Sequence, residues 1–292
     1  MPELPDLELY LDALKARIVG QRLVRIVLKS PFVLRTATPE PASLEGAAVV
    51  GLRRLGKRIV IELGGARFVV IHLMIAGRLH WIAGSGAKRG GKAIAELVFE
   101  HGALTLTEAG TKRRAAVHLV ESEAALAAHD PGGIEPLAAT RDAFAAALTA
   151  ENRTLKRALT DPKRFAGIGN AYSDEILHRA KLPPFKRTRC LAPDELARLH
   201  DATVGTLTDW TRWLREQTGA AFPEKVTAFR KGMAVHGRYR QPCPACGAPV
   251  QRVVYAENEM NYCARCQNDD RIYADRALSQ LLHDDFPRRL DE

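Results

Sequence analysis

Cys243-Pro-Ala-Cys246 and Cys263-Ala-Arg-Cys266 form the strongest local pattern in the sequence, two C-x2-C pairs separated by sixteen residues. Each pair can present two thiolates to one metal ion, and a hairpin between the pairs can close a tetrahedral site. Disulfides are the alternative, but nothing else in the sequence indicates an oxidising compartment. We therefore predict one structural Zn²⁺, because four thiolates leave no open coordination position.

The residues between the two cysteine pairs predict the hairpin itself. Val250–Tyr255 and 260–262 have the composition of short strands, and 257–259 (Glu-Asn-Glu) would form the turn between them. The C-terminal region therefore contains a zinc-held β-hairpin, which could be purely structural.

Two further regions precede this hairpin. Apolar residues recur at helical spacing directly after the N-terminus: Leu7, Leu11, Leu14 and Ile18. Strand-like runs follow at Leu23–Leu28, Arg58–Leu63, 68–75, 94–99, 103–107 and Ala116–Val120, and such a series predicts a β-sandwich or barrel. From the Pro/Gly-rich stretch 130–136 onward, Ala/Leu-rich helical spacing continues to about residue 217. We place the domain boundary at that stretch.

The charge balance favours a polyanionic partner. Lys and Arg outnumber Asp and Glu by 43 to 34 in 292 residues, giving a formal net charge of +9. The most apolar stretch, 68–76, is interrupted by His72 and followed by Arg78, so it is too short and too polar to span a bilayer. We expect a cytoplasmic protein that binds nucleic acid and no membrane.

Lys57 stands at the start of the predicted strand Arg58–Leu63, on the same side as Ile59 and Ile61, which we expect to be buried. Such a lysine either extends to solvent or directs its charge into a cleft to meet a phosphate. His72 lies among alternating apolar residues, which is typical of a hydrogen-bonded core histidine.

A tight turn is predicted at Gly167-Ile-Gly169, with Asn170 as the N-cap of the following helix. Free backbone N–H groups at a helix start suit a phosphate. The same turn also occurs in helical hairpins that bind no ligand.

Five segments in chain order carry a resemblance to a known family: 1–5 (Met-Pro-Glu-Leu-Pro), 53–57 (Arg-Arg-Leu-Gly-Lys), 71–77 (Ile-His-Leu-Met-Ile-Ala-Gly), 167–172 (Gly-Ile-Gly-Asn-Ala-Tyr) and 235–238 (Val-His-Gly-Arg). The last segment leads into the four-cysteine finger. Together they resemble the formamidopyrimidine-DNA glycosylase/endonuclease VIII family of base-excision-repair enzymes, over nearly the whole chain.

The resemblance implies an α+β multidomain fold that agrees with the regions outlined above. We expect an N-terminal catalytic β-sandwich with an N-terminal helix over 1–129, a linker over 130–137 and a helix–two-turn–helix DNA-binding domain over 138–235. A zinc finger over 236–270 follows. The tail over 271–292 extends beyond the usual end of family members, and Leu278, Leu281 and Leu282 at helical spacing predict a short helix there. DNA would cross the cleft between the two halves.

The resemblance also gives the N-terminus a role that Met-Pro alone does not indicate. Once Met1 is removed, the nitrogen of Pro2 would attack C1′ of a flipped-out damaged nucleotide, release the base and form an iminium. Elimination would then cut the strand. Glu3 would be the acid/base that protonates the sugar ring oxygen, and Lys57 would hold a phosphate near the lesion.

The DNA contacts implied by the resemblance are His72, Ile75, Arg113, Arg114, Lys156, Asn170, Tyr172 and Asn258. Four positions depart from the family, and one of them is Asp6, which stands where Glu is common. Ile75 stands where typical members have Met, Ala115 stands where a wedging aromatic is usual, and Asn258 stands where the finger usually has a phosphate-binding Arg. An uncharged Asn258 predicts weaker and less salt-sensitive DNA binding.

Three functions are compatible with the sequence. The first is a monomeric bifunctional DNA glycosylase/AP lyase that acts on damaged double-stranded DNA without a small-molecule cofactor, since Pro2, Glu3 and Lys57 are all present. The second is a non-catalytic or weakly catalytic paralogue that binds damaged or abasic DNA, which the departures at Ala115 and Asn258 favour. The third is an unrelated zinc-ribbon protein that contacts RNA, supported only by charge and finger.

Overall fold

The computed structural model describes residues 1–84, 92–109, 113–224, 226–255, 258–273, 281 and 288–290, and for Tyr255 and Asn258 it describes the backbone only. The chain divides into two compact units. The first comprises Met1–Pro131 and Trp210–Thr227, and the second comprises Gly132–Asp209 and Ala228–Glu292. The division at Pro131 falls inside the predicted linker 130–137, whereas the return of residues 210–227 to the first unit is not apparent from the sequence. No helix in the described part of the chain is long and apolar enough to span a bilayer.

The first unit is a β-sandwich with an N-terminal helix, as the sequence predicts. It contains helix α1 (Leu4–Ile18), the short helices α2 (Pro41–Leu44) and α3 (Glu123–Ala127), and the strands β1 (Leu23–Leu28), β2 (Val49–Leu55), β3 (Arg58–Leu63), β4 (Arg67–His72), β5 (Gly77–Ala83), β6 (Ala93–Phe99), β7 (Gly102–Glu108) and β8 (Ala116–Val120). One antiparallel sheet has the order β1-β6-β7-β5 and the other the order β2-β3-β4-β8.

The main core of this unit contains apolar residues from both sheets and from α1. Strands β3 and β4 are almost continuously apolar because both of their faces are covered. Ile59 and Ile61 lie in the main core, and Val60 and Val70 pack with Leu126 of α3 on the opposite face. The helix α1 turns Leu7, Leu11 and Leu14 into the same main core, so the residues directly after the N-terminus are anchored by burial.

Two strands, β2 and β5, are absent from the sequence prediction. In β2 the register shifts between Val49 and Gly51, which obscures the alternation. The predicted strand 68–75 is also too long, since β4 ends at His72. A tight turn follows, in which the N–H of Gly77 donates to the carbonyl of Leu73 at 2.9 Å. A Cβ on Gly77 would lie 2.2 Å from that oxygen, so the turn requires glycine.

The second unit contains α4 (Arg141–Thr149), α5 (Leu155–Leu159), α6 (Asn170–Ala180), the first part of α7 (Pro193–Thr218), and a finger made of β9 (Val250–Tyr255), β10 (Asn258–Cys263) and α8 (Ala264–Asn268). Strands β9 and β10 pair antiparallel, which confirms the predicted hairpin. Residue 258 was predicted in the turn, but it opens β10 opposite Tyr255.

The tail returns to the finger over its described residues. Arg271 and Arg289 form an antiparallel bridge, and Leu290 packs against the apolar residues of the finger. The predicted tail helix with Leu278, Leu281 and Leu282 falls outside the described residues except at Leu281, which is exposed.

Candidate active site and DNA-contact residues

The N-terminus is built into the start of α1. Pro2 is buried, and Glu3, only 3% exposed, occupies the N-cap position of the helix. Glu3 and Asp6 form a capping box, in which each side chain accepts from the backbone N–H of the other, and the Glu3 N–H lies 2.9 Å from Asp6 Oδ2. Asp6, which replaces the Glu common in the family, therefore keeps a capping function and fixes the backbone of Glu3.

Lys57 lies in the two-residue turn between β2 and β3, where Leu55 pairs with Arg58. Gly56 precedes it with φ of 58°, a conformation that favours glycine. Lys57 is 9% exposed, which agrees with the predicted placement on the buried side.

The N-terminal amine lies in an environment that favours its neutral form. Burial lowers the pKa of the Met1 amine, and the positive charges of Arg78 and Lys57 lower it further, against the opposing effect of Glu3 and Asp6. An amine must be neutral to act as a nucleophile. The same surroundings would act on the Pro2 amine once Met1 is removed.

Arg78 is a site residue that the sequence analysis missed. Its Nη1 donates to the carbonyl oxygens of Gly77 at 2.7 Å and Ile75 at 3.2 Å, so the guanidinium folds over the turn that carries Ile75. The sequence does contain one signal for Arg78, since it is a basic residue that directly follows Gly77, the glycine that the turn requires. The electrostatic effect of Arg78 on the amine, however, depends on the fold, which brings two distant parts of the chain near each other.

The structure places His72 at the end of β4 and Ile75 in the following turn. Burial, with the charges of Arg58 and Lys57, lowers the pKa of His72 to about 4, so this imidazole is neutral at physiological pH. Ile75 is 59% exposed. The residue before it, Met74, has a left-handed backbone conformation with φ of 51°. Ile75 is thus available at the surface for a contact.

Arg113 and Arg114 are both exposed, and the N–H of Arg114 donates to Glu108 Oε1 at 2.8 Å. Ala115 is only 3% exposed and belongs to the sandwich core. The position at which the family usually has a wedging aromatic is therefore occupied here by a buried alanine. The preceding residues 110–112 lie outside the described residues.

The turn before α6 has the predicted form, with one correction. Gly167 has φ of 82°, and the N-cap of α6 is Gly169, so Asn170 is the first helical residue rather than the cap. Asn170 Nδ2 donates to the carbonyl of Glu259 in β10 at 2.8 Å. The start of α6 is thereby joined to the finger.

Lys156 and Tyr172 lie inside the second unit. Lys156 Nζ lies 2.5 Å from Asp174 Oδ1 and 2.6 Å from the carbonyl of Asn170, and Asp174 Oδ2 lies 2.8 Å from His236 Nδ1. Lys156 is 6% exposed and Tyr172 1%. A direct contact of either side chain with DNA would require it to leave this packing. Neither the pairing of Lys156 with Asp174 nor that of Asp174 with His236 is evident from the sequence.

The four predicted cysteines converge. The Sγ atoms of Cys243, Cys246, Cys263 and Cys266 lie within 4.8 Å of one another. Burial and the neighbouring thiols raise the pKa of Cys263, which disfavours a bare thiolate there, and a bound cation would hold it as thiolate. Four sulfur donors suit one structural Zn²⁺, which leaves no position for substrate.

The finger is also tied to α6 beside its metal ligands. His178 Nε2 lies 3.2 Å from Cys243 Sγ, and the Glu175 carboxylate accepts three backbone N–H groups from 234–236 at 2.7–2.9 Å. The side chain of Asn258 lies outside the described residues, so its predicted phosphate contact stays a prediction.

Comparison with known proteins supports the same assignment along the chain. Residues 1–131 match the formamidopyrimidine-DNA glycosylase N-terminal domain, residues 133–214 match the formamidopyrimidine-DNA glycosylase H2TH domain, and residues 240–268 match the zinc finger found in FPG and IleRS. The chain belongs to the formamidopyrimidine-DNA glycosylase family.

Individual relatives are similar over most of their length. The formamidopyrimidine-DNA glycosylase of Roseiflexus sp. is 33% identical, covering 91% of this chain and all of the relative. An uncharacterized formamidopyrimidine-DNA glycosylase-like protein of Mycobacterium tuberculosis is 39% identical over 51% of this chain and 93% of its own length. The Lactococcus lactis Fpg in complex with abasic-site DNA has a TM-score of 0.81 at 26% identity, covering 91% of this chain and 99% of that one.

Proposed function

We propose that this protein is a bifunctional DNA glycosylase/AP lyase that acts on damaged double-stranded DNA. The observation that carries the proposal is the N-terminus. Pro2 and Glu3 are buried at the start of α1, and burial, together with the charges of Arg78 and Lys57, lowers the pKa of the Met1 amine beside them. The homologous enzymes of Roseiflexus and Symbiobacterium bear the name formamidopyrimidine-DNA glycosylase, which supports the same activity.

In this proposal the neutral nitrogen of Pro2 attacks C1′ of a flipped-out nucleotide. The N-glycosidic bond breaks, its electron pair leaves with the base, and the base takes up a proton. The sugar ring then opens to give an iminium between Pro2 and C1′. Loss of a 2′ hydrogen expels the 3′ phosphate, a second elimination expels the 5′ phosphate, and water hydrolyses the iminium to free the amine.

Glu3 and Lys57 have separate roles in this scheme. The Glu3 carboxyl donates a proton to the ring oxygen as the C1′–O4′ bond breaks, a role that requires a carboxyl beside the nucleophile. The Lys57 ammonium binds a phosphate next to the lesion. Because it is largely buried, its interaction with phosphate is less screened than that of a surface lysine.

The second unit supplies further backbone contacts to DNA. The N-terminus of α6 offers N–H groups to a phosphate, and Asn170 lies at its first position. Its link to Glu259 makes the zinc-held hairpin a support for this contact. We propose that the protein acts as a monomer with zinc as its only metal and with no small-molecule cofactor.

Borohydride trapping on a duplex with one abasic site tests the proposal, because reduction of the iminium gives a stable covalent complex. We expect the wild-type protein to form this complex and to cut the strand. Glu3→Gln should release an oxidised base at least about 100-fold more slowly, within the range of general acid catalysis. The same variant should lose much less of its rate when it cuts a ready-made abasic site, because the glycosidic bond is already broken there. A wild-type protein that binds abasic DNA without forming an adduct would contradict the proposal.

That last outcome is the result expected of the second candidate, a paralogue that binds damaged or abasic DNA with little or no excision. The burial of Ala115 at the usual wedge position is the observation that favours it. The same trapping assay therefore separates the two functions.

A further inference from the structure

Arg54 makes two hydrogen bonds that lead to different parts of the first unit. Its Nε lies 3.0 Å from Glu8 Oε1, and its Nη1 donates to the carbonyl of Gly56 at 2.9 Å. The Arg54 side chain is 7% exposed and that of Glu8 is 27% exposed. The ion pair between Arg54 and Glu8 is therefore partly shielded from water, which strengthens its charge-assisted hydrogen bond and restricts the orientation of the guanidinium.

Each hydrogen-bond partner of Arg54 lies close in sequence to a residue with a proposed role: Glu8, in α1, follows Pro2 and Glu3, and Gly56 directly precedes Lys57. Glu8 lies one turn into α1, the helix that begins at Leu4 directly after its N-cap Glu3. The Gly56 carbonyl belongs to the peptide group that continues into Lys57. One guanidinium thus connects the helix that follows the nucleophile with the turn that carries the phosphate-binding lysine.

This bridge uses the shape of an arginine. Nε and Nη1 are fixed in one plane, so both hydrogen bonds are made by a single rigid group. A lysine would keep the positive charge, but its single nitrogen at the end of a flexible stem cannot reproduce the two fixed directions. The identity of residue 54 therefore determines geometry as well as charge.

The preceding residue provides a natural comparison. Arg53 Nε lies 2.9 Å from Glu62 Oε1 in β3, and its Nη2 lies 2.8 Å from Glu123 Oε2 in α3. Its side chain is 44% exposed. Arg53 therefore pairs within one sheet and its covering helix, while Arg54 reaches α1 and the Lys57 turn.

We propose that Arg54 is a positioning residue that sets the separation between the nucleophile on α1 and the Lys57 turn, which rests on the roles proposed above for Pro2 and Lys57. The reaction requires the nitrogen to approach C1′ while the neighbouring phosphate is held. An error of about 1 Å in such a geometry can lower the rate by about 100-fold. Arg54 acts through the backbone positions of these groups and does not contact the reacting atoms.

The test compares Arg54→Gln, Arg54→Lys, Glu8→Ala and the control Arg53→Gln. Single-turnover cleavage of an abasic duplex at saturating enzyme gives the rate of chemistry, and fluorescence anisotropy gives the dissociation constant separately. We expect Arg54→Gln to lower the rate by about 10- to 100-fold, with DNA affinity within about threefold of wild type. Arg54→Lys should recover part of the rate, and Arg53→Gln should stay within about twofold of wild type.

Each outcome decides the question. A folded Arg54→Gln protein with the wild-type rate, or an equal loss of rate in Arg53→Gln, would overturn the proposal. If Arg54→Gln does not fold, Glu8→Ala decides, because it removes the acceptor of the Arg54 hydrogen bond: a slower rate with unchanged affinity supports positioning, and a wild-type rate overturns it. If the wild-type protein itself forms no borohydride adduct, the proposed function fails first and this inference fails with it.

Discussion

Asn170 and Glu259 are joined by a 2.8 Å hydrogen bond from the Asn170 side-chain amide to the Glu259 carbonyl. The bond ties the first residue of α6 to strand β10, which ends at the metal ligand Cys263. The metal site and the proposed phosphate contact are therefore mechanically connected, although the metal does not take part in the reaction.

We expect zinc removal to weaken DNA binding through this connection. Chelation, or the substitution Cys246→Ser, should disorganise the hairpin and lower affinity for abasic DNA by at least about tenfold, since structural zinc contributes directly to folding of its domain. Zinc release with a chromogenic chelator and anisotropy with labelled duplex measure the two quantities. Unchanged affinity after complete zinc loss would show that the start of α6 does not depend on the finger.

A substitution of Lys156 can show whether this residue stabilises the fold or contacts DNA. Its ion pair with Asp174 is almost wholly buried, so Lys156→Met should lower the free energy of unfolding by about 3 kcal/mol by leaving the carboxylate without this partner. Arg157→Met, on the exposed side of the same helix, is the matched control and should change stability little. Denaturant unfolding measures the difference. Unchanged stability combined with a loss of DNA affinity would show that Lys156 leaves the pair to bind DNA.

These buried pairings mark the limit of what the sequence predicts. The bounds of β1, β3 and β8 agree with their apolar runs, because short local runs of apolar and β-branched residues between turn signals determine them. The pair between Lys156 and Asp174 joins residues 18 positions apart on different helices, and no local pattern signals it. Motifs in the sequence therefore predict which residues stand at the proposed functional positions, but not the hydrogen-bond and ion-pair partners that fix their side chains in the fold.

The same distinction applies at Ala115 and at Arg54. The sequence shows that position 115 lacks an aromatic ring, but only the structure shows that Ala115 is in the core and cannot face a base gap. Likewise, Arg54 belongs to a recognisable motif, while its link to Glu8 depends on how α1 packs beside β2.

The protein should lose stability in acid because of two histidines. Burial lowers the pKa of His72 and of His118 to about 4, and His129 contributes to the shift of His118. The folded protein therefore binds fewer protons than the unfolded chain, and stability falls as the pH drops from about 6.5 towards 4. His118→Gln should reduce proton uptake on unfolding near pH 5 by about one proton. Unfolding free energies between pH 4 and 7 give this slope, and exposed His101→Gln, the control, should leave it unchanged.

Opposite-base discrimination should be weak. A wedge stabilises the flipped-out state and inspects the base left behind, but of the two positions expected to fill the gap, Ala115 is buried and only Ile75 is exposed. We expect 8-oxoguanine opposite each of the four bases to be cleaved at rates within about tenfold of one another, a barrier difference below about 1.4 kcal/mol. An abasic duplex, in which flipping costs less, should be cut faster than any of them. A strong preference for 8-oxoguanine opposite cytosine, at a rate equal to abasic cleavage, would show that another group fills the gap.

The role of Pro2 as nucleophile can be tested by mapping the adduct at the N-terminus. After borohydride trapping on an abasic duplex, nuclease and protease digestion followed by mass spectrometry identifies the residue that carries the reduced sugar. We expect Met1 to be absent and the sugar to be attached to the nitrogen of Pro2. A sugar attached to a lysine side chain, or efficient trapping by a protein that retains Met1, would contradict this role.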